Sequence, residues 1–231
     1  MAKSASLGRS YRSSPSPMAS LKDLAAAEIR QRIFSGDLKP GSKVDQETLA
    51  AELGMSKLPV REALISLDSE GLIHSIARRG SFVAELTRED IRDHYQIFGT
   101  VAGLAAERAA TALTDDELKR LAQTLDEMES TDDPVRQEEL NHEFHRVINI
   151  AGRSRRLTSV LGLLSKSLPS HFYEFHTSWS DTAHKDHRRI LRALKARNAD
   201  RAGRAMSDHL RRGADHAVAF LESAGFWDAE D

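Results

Sequence analysis

Ser56-Lys57-Leu58-Pro59-Val60-Arg61-Glu62-Ala63-Leu64 joins a helix cap, a basic outward face and an apolar inward face in one short stretch. Ser56 is of the type that accepts a bond from the open N–H groups of a first turn, and Pro59 falls early enough to remove no ladder bond. Val60, Ala63, Leu64 and Leu67 recur on one helical face, which leaves Lys57 and Arg61, four apart, together on the other. Gly71 stops the run. The pattern is that of a helix that buries one side and offers the start of the other to DNA.

The flanks fit the same reading. Val44 to Gly54 forms a short amphipathic segment with Asp45 as cap and a terminal glycine, so two helices joined at Gly54-Met55 make a helix-turn-helix. Upstream, Leu21, Leu24, Ala25, Ile29 and Ile33 mark a first helix that ends in Ser35-Gly36-Asp37. Downstream, Leu72 to Ile76 and Ser81 to Ala84 are β-rich and are separated by Ala77-Arg78-Arg79-Gly80, which predicts a hairpin wing with two arginines at its tip.

With these elements in order, residues 21–86 resemble the winged helix-turn-helix of the GntR regulators. The resemblance implies that the N-terminal end of the third helix enters the major groove, with Ser56, Lys57, Leu58, Pro59 and Arg61 at the operator and Arg78, Arg79 and Gly80 at the wing. Three positions depart from the family pattern. Lys57 stands where arginine is usual and supplies charge with less directional information, because lysine lacks the planar fork that reads guanine. Leu58 replaces the more usual threonine, and Glu47 sits where some relatives place a DNA-contacting arginine.

Composition sets the bounds. A chain of 231 residues with 40% hydrophobic content can bury a real core as one large or two smaller domains. A formal net charge of −2 means that any basic DNA-binding face is local and balanced by acid elsewhere. The absence of cysteine excludes disulfides, thiolate metal ligands and a cysteine nucleophile, and is compatible with a reducing cytoplasm. Apolar runs are short and carry charges, so no membrane span is expected. Residues 1–20 are rich in serine and basic residues and read as a disordered arm.

Thr87 opens a new region as the cap of a helix, with Asp90 three positions later in a capping box. The chain is then helical throughout: Ile91 to Ala112, Thr114 to about Met128, Asp133-Pro134 to Ile150, Leu157 to Leu168, Ala183 to Ala196 and Ala199 to Ala224. Residues 87–231 are expected to form an all-α antiparallel bundle of six or so helices. Its chemistry lies in histidines at helical spacing. Asn141 and His145 fall one turn apart beside Phe144, while His187 and His209 each stand beside aliphatic residues on two later helices. Three imidazoles from three helices suit a borderline divalent ion such as zinc, with nickel or manganese as alternatives.

This region resembles the FCD ligand-binding domain of the FadR-type branch of the GntR family. Many such domains bind metal through an acidic residue and a histidine four apart, then one histidine on each of the last two helices. The matching positions are Asn141, His145, His187 and His209, with a neutral amide where aspartate is more usual. In many relatives an arginine and a glutamate on the first long helix face the pocket. Alignment puts Phe98 and Ala102 at those positions, while His171, Tyr173 and His184 fall among further pocket candidates.

The expected protein is therefore mainly α: a winged helix-turn-helix followed by an FCD-like bundle. It is read as a homodimeric repressor that binds a double-stranded DNA operator with inverted symmetry. Its effector is read as a small organic acid, a carboxylate, taken up in a metal-containing pocket. Two other classes compete: a metal-dependent hydrolase-like bundle and a winged-helix adaptor for protein. The hydrolase reading lacks a base, since Glu143 lies two before His145 and should point away from the histidine face.

Overall fold

The computed structural model describes residues 20–167, 177–223 and 225–227. The serine-rich arm before them, and His171 and Tyr173, lie outside the described residues. The first helix, α1 (Leu21–Phe34), starts in a capping box formed by Ser20 and Asp23 and is followed by Gly36 at φ 81°. A two-residue strand, β1 (Lys43–Val44), precedes α2 (Gln46–Glu52), and α3 (Lys57–Ser69) completes the helix-turn-helix. The hairpin of β2 (Ile73–Ile76) and β3 (Gly80–Val83) closes an antiparallel sheet in the order β1-β3-β2, with Ile76 opposite Gly80 at the turn.

Two local expectations change. The second helix begins at Gln46, because Asp45 accepts from the N–H groups of Glu47 and Thr48 and fixes the start there. Val44 is thereby left to pair with Ser81 as a third strand. Ser56 occupies the cap position of α3 in extended backbone, yet its hydroxyl makes no capping bond.

Six helices follow among the described residues. Helix α4 (Arg88–Ala112) starts in the Thr87–Asp90 capping box and α5 (Asp115–Ser130) in one formed by Thr114 and Glu117. Helix α6 (Pro134–Ala151) is capped by Asp133 with proline in its first turn, and α7 (Arg155–Lys166) is capped by Ser154. Helices α8 (Thr177–Lys195) and α9 (Ala199–Ser223) end the bundle. Helix α8 begins six residues before the expected Ala183, since Thr177 to Thr182 carry no apolar period to announce it.

Helices α4 and α9 pack at backbone distance. A Cβ on Gly103 would meet the Gly203 carbonyl at 3.0 Å, and the Ser207 hydroxyl donates to the carbonyl of Gly99 at 2.8 Å. Side chains form two cores. One lies inside the bundle around Leu121, Leu125, Phe144 and Met206. The other joins α1, α3 and the wing to Ile91 and Tyr95 of α4, to Ala214, Ala217, Val218 and Leu221 of α9, and to Phe226. The last helix thus serves both cores.

Candidate metal centre and nucleic-acid interface

Helix α3 buries Pro59, Val60, Ala63, Leu64 and Leu67, and this orients everything else on it. Ser56, Lys57, Leu58 and Arg61 are exposed at its start, with Leu58 at 62% and Ile65 at 60% of full exposure. Pro59 is the exception among the expected DNA contacts, because it packs inward with the core face. Lys57 Nζ is paired with Glu47 of α2, both groups being exposed, whereas Arg61 has no ion pair among the described residues. At the wing tip Arg78, Arg79 and Gly80 are exposed. Arg78 takes a left-handed φ of 65° and Gly80 a φ of 106°, which turns the hairpin, and the Arg79 guanidinium lies 5.9 Å from the Phe82 ring centroid.

In the bundle, His145 of α6, His187 of α8 and His209 of α9 converge. Their Nε2 atoms form a triangle with sides of 3.3 Å from His145 to His187, 3.2 Å from His187 to His209 and 3.3 Å from His209 to His145. His187 and His209 are buried and His145 is half-buried. Phe144 is fully buried against the cluster, its ring centroid 4.9 Å from that of His187 and 5.7 Å from that of His145.

Hydrogen bonding alone does not satisfy this triangle. A ring nitrogen carries either a proton or a lone pair, so among three mutually close nitrogens at least two are of the same kind and repel. A cation at the centre removes the conflict. Tetrahedral coordination at zinc–nitrogen bonds of about 2.0–2.1 Å separates ligand atoms by about 3.3 Å, which matches the sides observed. Burial, followed by the charge of neighbouring histidines, holds the imidazoles of His145 and His187 well below the usual histidine range. Both are therefore neutral near pH 7, as metal ligands must be. Asn141 Oδ1, one turn before His145, is buried without a hydrogen-bond partner, and an amide oxygen is of a type that ligates cations.

One carboxylate that sequence reading passed over borders this cluster. Asp186 is 8% exposed, its Oδ2 lies 3.5 Å from Nδ1 of His209, and both its oxygens receive the Arg212 fork at 2.6 and 2.8 Å. Burial would raise the Asp186 carboxyl, but the interactions with His209 and Arg212 outweigh it and hold the group below the usual range. Neighbouring polar residues on α8 and α9 gave no spacing signal for this arrangement, because the contact between the two helices is made in space.

Of the other pocket candidates, His171 and Tyr173 lie outside the described residues. Ala102 is 1% exposed within the bundle core, and Phe98 is half-buried against both cores. His184 lines an open groove with Glu129, Lys185, Arg188 and Arg192. Glu143, the carboxylate weighed as a hydrolytic base, accepts two bonds from Arg146 at 2.7 and 3.0 Å, which holds it away from the role. No helix among the described residues is long and apolar enough to cross a membrane.

Comparison with known proteins agrees with this division of labour. Residues 21–83 match the family model of bacterial regulatory proteins of the gntR family, and residues 90–212 match the FCD domain. The chain is similar to the HTH-type transcriptional regulator YdhC of Bacillus subtilis, with 28% identity over 84% of this chain and 90% of that protein. It is similar also to the HTH-type transcriptional repressor RspR of Escherichia coli, with 26% identity over 88% and 91%. Among solved structures, E. coli McbR/YncC has the same fold, with a TM-score of 0.66 at 23% identity over 89% of this chain and 99% of that one.

Proposed function

The chain belongs to the GntR family of bacterial regulatory proteins and carries an FCD effector-binding domain, and on that basis we propose that it is a metal-dependent, ligand-responsive repressor that binds an inverted-repeat operator as a homodimer. That it is a DNA-binding transcription regulator rather than an enzyme follows from its relatives. The finer reading rests on one observation above others: Lys57, Leu58 and Arg61 stand exposed at the start of α3, and the two arginines of the wing tip are exposed as well. In this reading residues 21–86 read DNA, with Lys57, Arg78 and Arg79 on phosphate, Arg61 on a base edge and Leu58 against a thymine methyl. Residues 87–231 dimerise and take the effector.

Two identical heads joined by their bundles would occupy half-sites related by a two-fold axis. Repression is supported by the similarity to the transcriptional repressor RspR. His145, His187 and His209, with Asn141, would hold a divalent transition ion, zinc above nickel or manganese. A bound ion supplies a Lewis-acidic site for a carboxylate oxygen. Since all these donors are neutral, the ion would keep its full charge toward an acidic ligand. The FCD resemblance implies charged pocket residues at Phe98 and Ala102, and their apolar character here favours an organic acid with an apolar body over a small dicarboxylate.

The test is selection of duplexes from a random pool, followed by sedimentation of the protein on the selected site. The expected result is a symmetric site bound by two chains, with affinity that falls steeply as salt rises. Retention of no sequence at moderate salt, or of an asymmetric site by one chain, would contradict the reading.

A further inference from the structure

We infer that Asp186 and Arg212 form a support that sets the proton and the orientation of His209 and thereby makes the three-histidine cluster competent for metal; this rests on the metal reading of that cluster. Asp186 is a buried carboxylate on α8 immediately before His187, and Arg212 lies on α9 three residues after His209. Together they span the two helices that supply two of the three imidazoles.

Removing a carboxylate from water is costly unless its oxygens are well bonded. The Arg212 fork does this with bonds of 2.8 Å to Oδ2 and 2.6 Å to Oδ1, a planar two-bond match that fixes the carboxylate plane. Arg212 remains partly open to solvent at 40% side-chain exposure, whereas Asp186 is at 11%. The fixed Oδ2 lies 3.5 Å from Nδ1 of His209. A carboxylate at that position attracts the imidazole proton to Nδ1. The lone pair then resides on Nε2, the atom that stands 3.2 Å from Nε2 of His187 and 3.3 Å from Nε2 of His145.

The opposite tautomer would place an N–H at the centre of the triangle and exclude a cation. Carboxylates that bond the far nitrogen of a metal-binding histidine fix its tautomer and raise its basicity, and their loss typically weakens metal binding by roughly 10- to 100-fold. His187 Nδ1 is buried with no hydrogen-bond partner, and the only cluster imidazole with an ion-pair contact among the described residues is His209, to Asp186. His209 is therefore the imidazole whose proton the protein places by a charged group. Asp186 is a positioning residue in this account and touches no effector.

The test is zinc affinity, measured by competition with a chromophoric chelator, for wild type, Asp186→Ala, Asp186→Asn and Arg212→Gln. It is paired with nitrogen NMR of the labelled histidines in the metal-free chain. Wild type should show His209 protonated at Nδ1. Asp186→Ala should bind zinc roughly 10- to 100-fold more weakly and lose that tautomer preference. Asp186→Asn, which keeps an acceptor oxygen, should recover part of the affinity. Arg212→Gln, which leaves the carboxylate in place but unanchored, should fall between Asp186→Ala and wild type. It also decides the matter if Asp186→Ala fails to fold.

Zinc affinity within twofold of wild type in folded Asp186 and Arg212 variants would overturn the inference while leaving the metal site intact. A loss that merely tracks a lower melting temperature of the metal-free protein, with the His209 tautomer unchanged, would also overturn it. Wild type that takes up no zinc at all would overturn both this inference and the metal reading beneath it.

Discussion

Lys57 and Arg61 are one turn apart on the same exposed face, but they differ in what holds them. Lys57 is tied to Glu47, while Arg61 has no ion pair among the described residues. Arg61→Ala is expected to cost about 1–3 kcal/mol of operator affinity and to relax selectivity at one base position, as expected for loss of a base-edge contact. Fluorescence anisotropy on a selected operator and its single-base variants checks this. Glu47→Gln should act in the other direction. Removing a carboxylate from beside the phosphates and freeing Lys57 should tighten binding to an arbitrary duplex by roughly two- to fivefold, the scale of an exposed ion pair. No change would make the pair irrelevant to DNA.

At this scale the sequence carried the histidines well. Family spacing selects His145, His187 and His209, and they meet within 3.3 Å. It carried less of what surrounds them. Ser56 has the right residue type for a capping bond that its hydroxyl does not make, since cap propensity states what a side chain is able to do rather than where it points. Asp186 was invisible for a different reason. Its partners His209 and Arg212 lie on another helix, and no spacing rule links α8 to α9.

Among the elements, α4 and α9 pack at backbone contact. A Cβ on Gly103 would collide with the Ser207 hydroxyl oxygen and lie 3.0 Å from the Gly203 carbonyl oxygen. The hydroxyl can rotate away, but the carbonyl belongs to a helix backbone. Gly103→Ala should therefore destabilise the fold by about 1–3 kcal/mol, the usual cost of overpacking, despite the gain in helix propensity that alanine brings. Urea denaturation measures it, and a stability equal to or above wild type would mean that the two helices separate freely.

Helix starts were legible at the Thr87–Asp90 capping box and at the cap Thr114, whereas Ser20, read as the end of the arm, caps α1 in a box with Asp23. Two elements escaped. Strand β1 is too short for any alternation to register, and its pairing with β3 is decided by where Asp45 starts the next helix. The start of α8 at Thr177 precedes its apolar period, so a reader of periodicity begins it at Ala183 instead.

Over the whole molecule, α9 is the shared part. It supplies His209 to the histidine cluster and, two to three turns later, Ala217, Val218 and Leu221 to the core that includes α1, α3 and the wing. The chain then folds back so that Phe226 meets Phe34 of α1, and Trp227 donates from Nε1 to the Leu86 carbonyl at 2.7 Å. The guanidinium of Arg88 lies 4.5 Å from the Trp227 ring centroid, which closes the residues before and after the link onto the last helix. Trp227→Ala should leave zinc affinity unchanged while increasing amide exchange in α1 and reducing any effect of metal on DNA affinity. An unchanged metal effect in that variant would place the coupling elsewhere.

The three imidazoles are the feature on which the regulatory account turns, and their content is directly measurable. Elemental mass spectrometry of tag-free protein, purified without chelator, should find about one equivalent of zinc, nickel or manganese per chain in wild type and none in His145→Ala. Wild type that holds no metal even after incubation with each ion in turn would contradict the account. The cluster would then be a polar core, and the effector would have to be held without a metal.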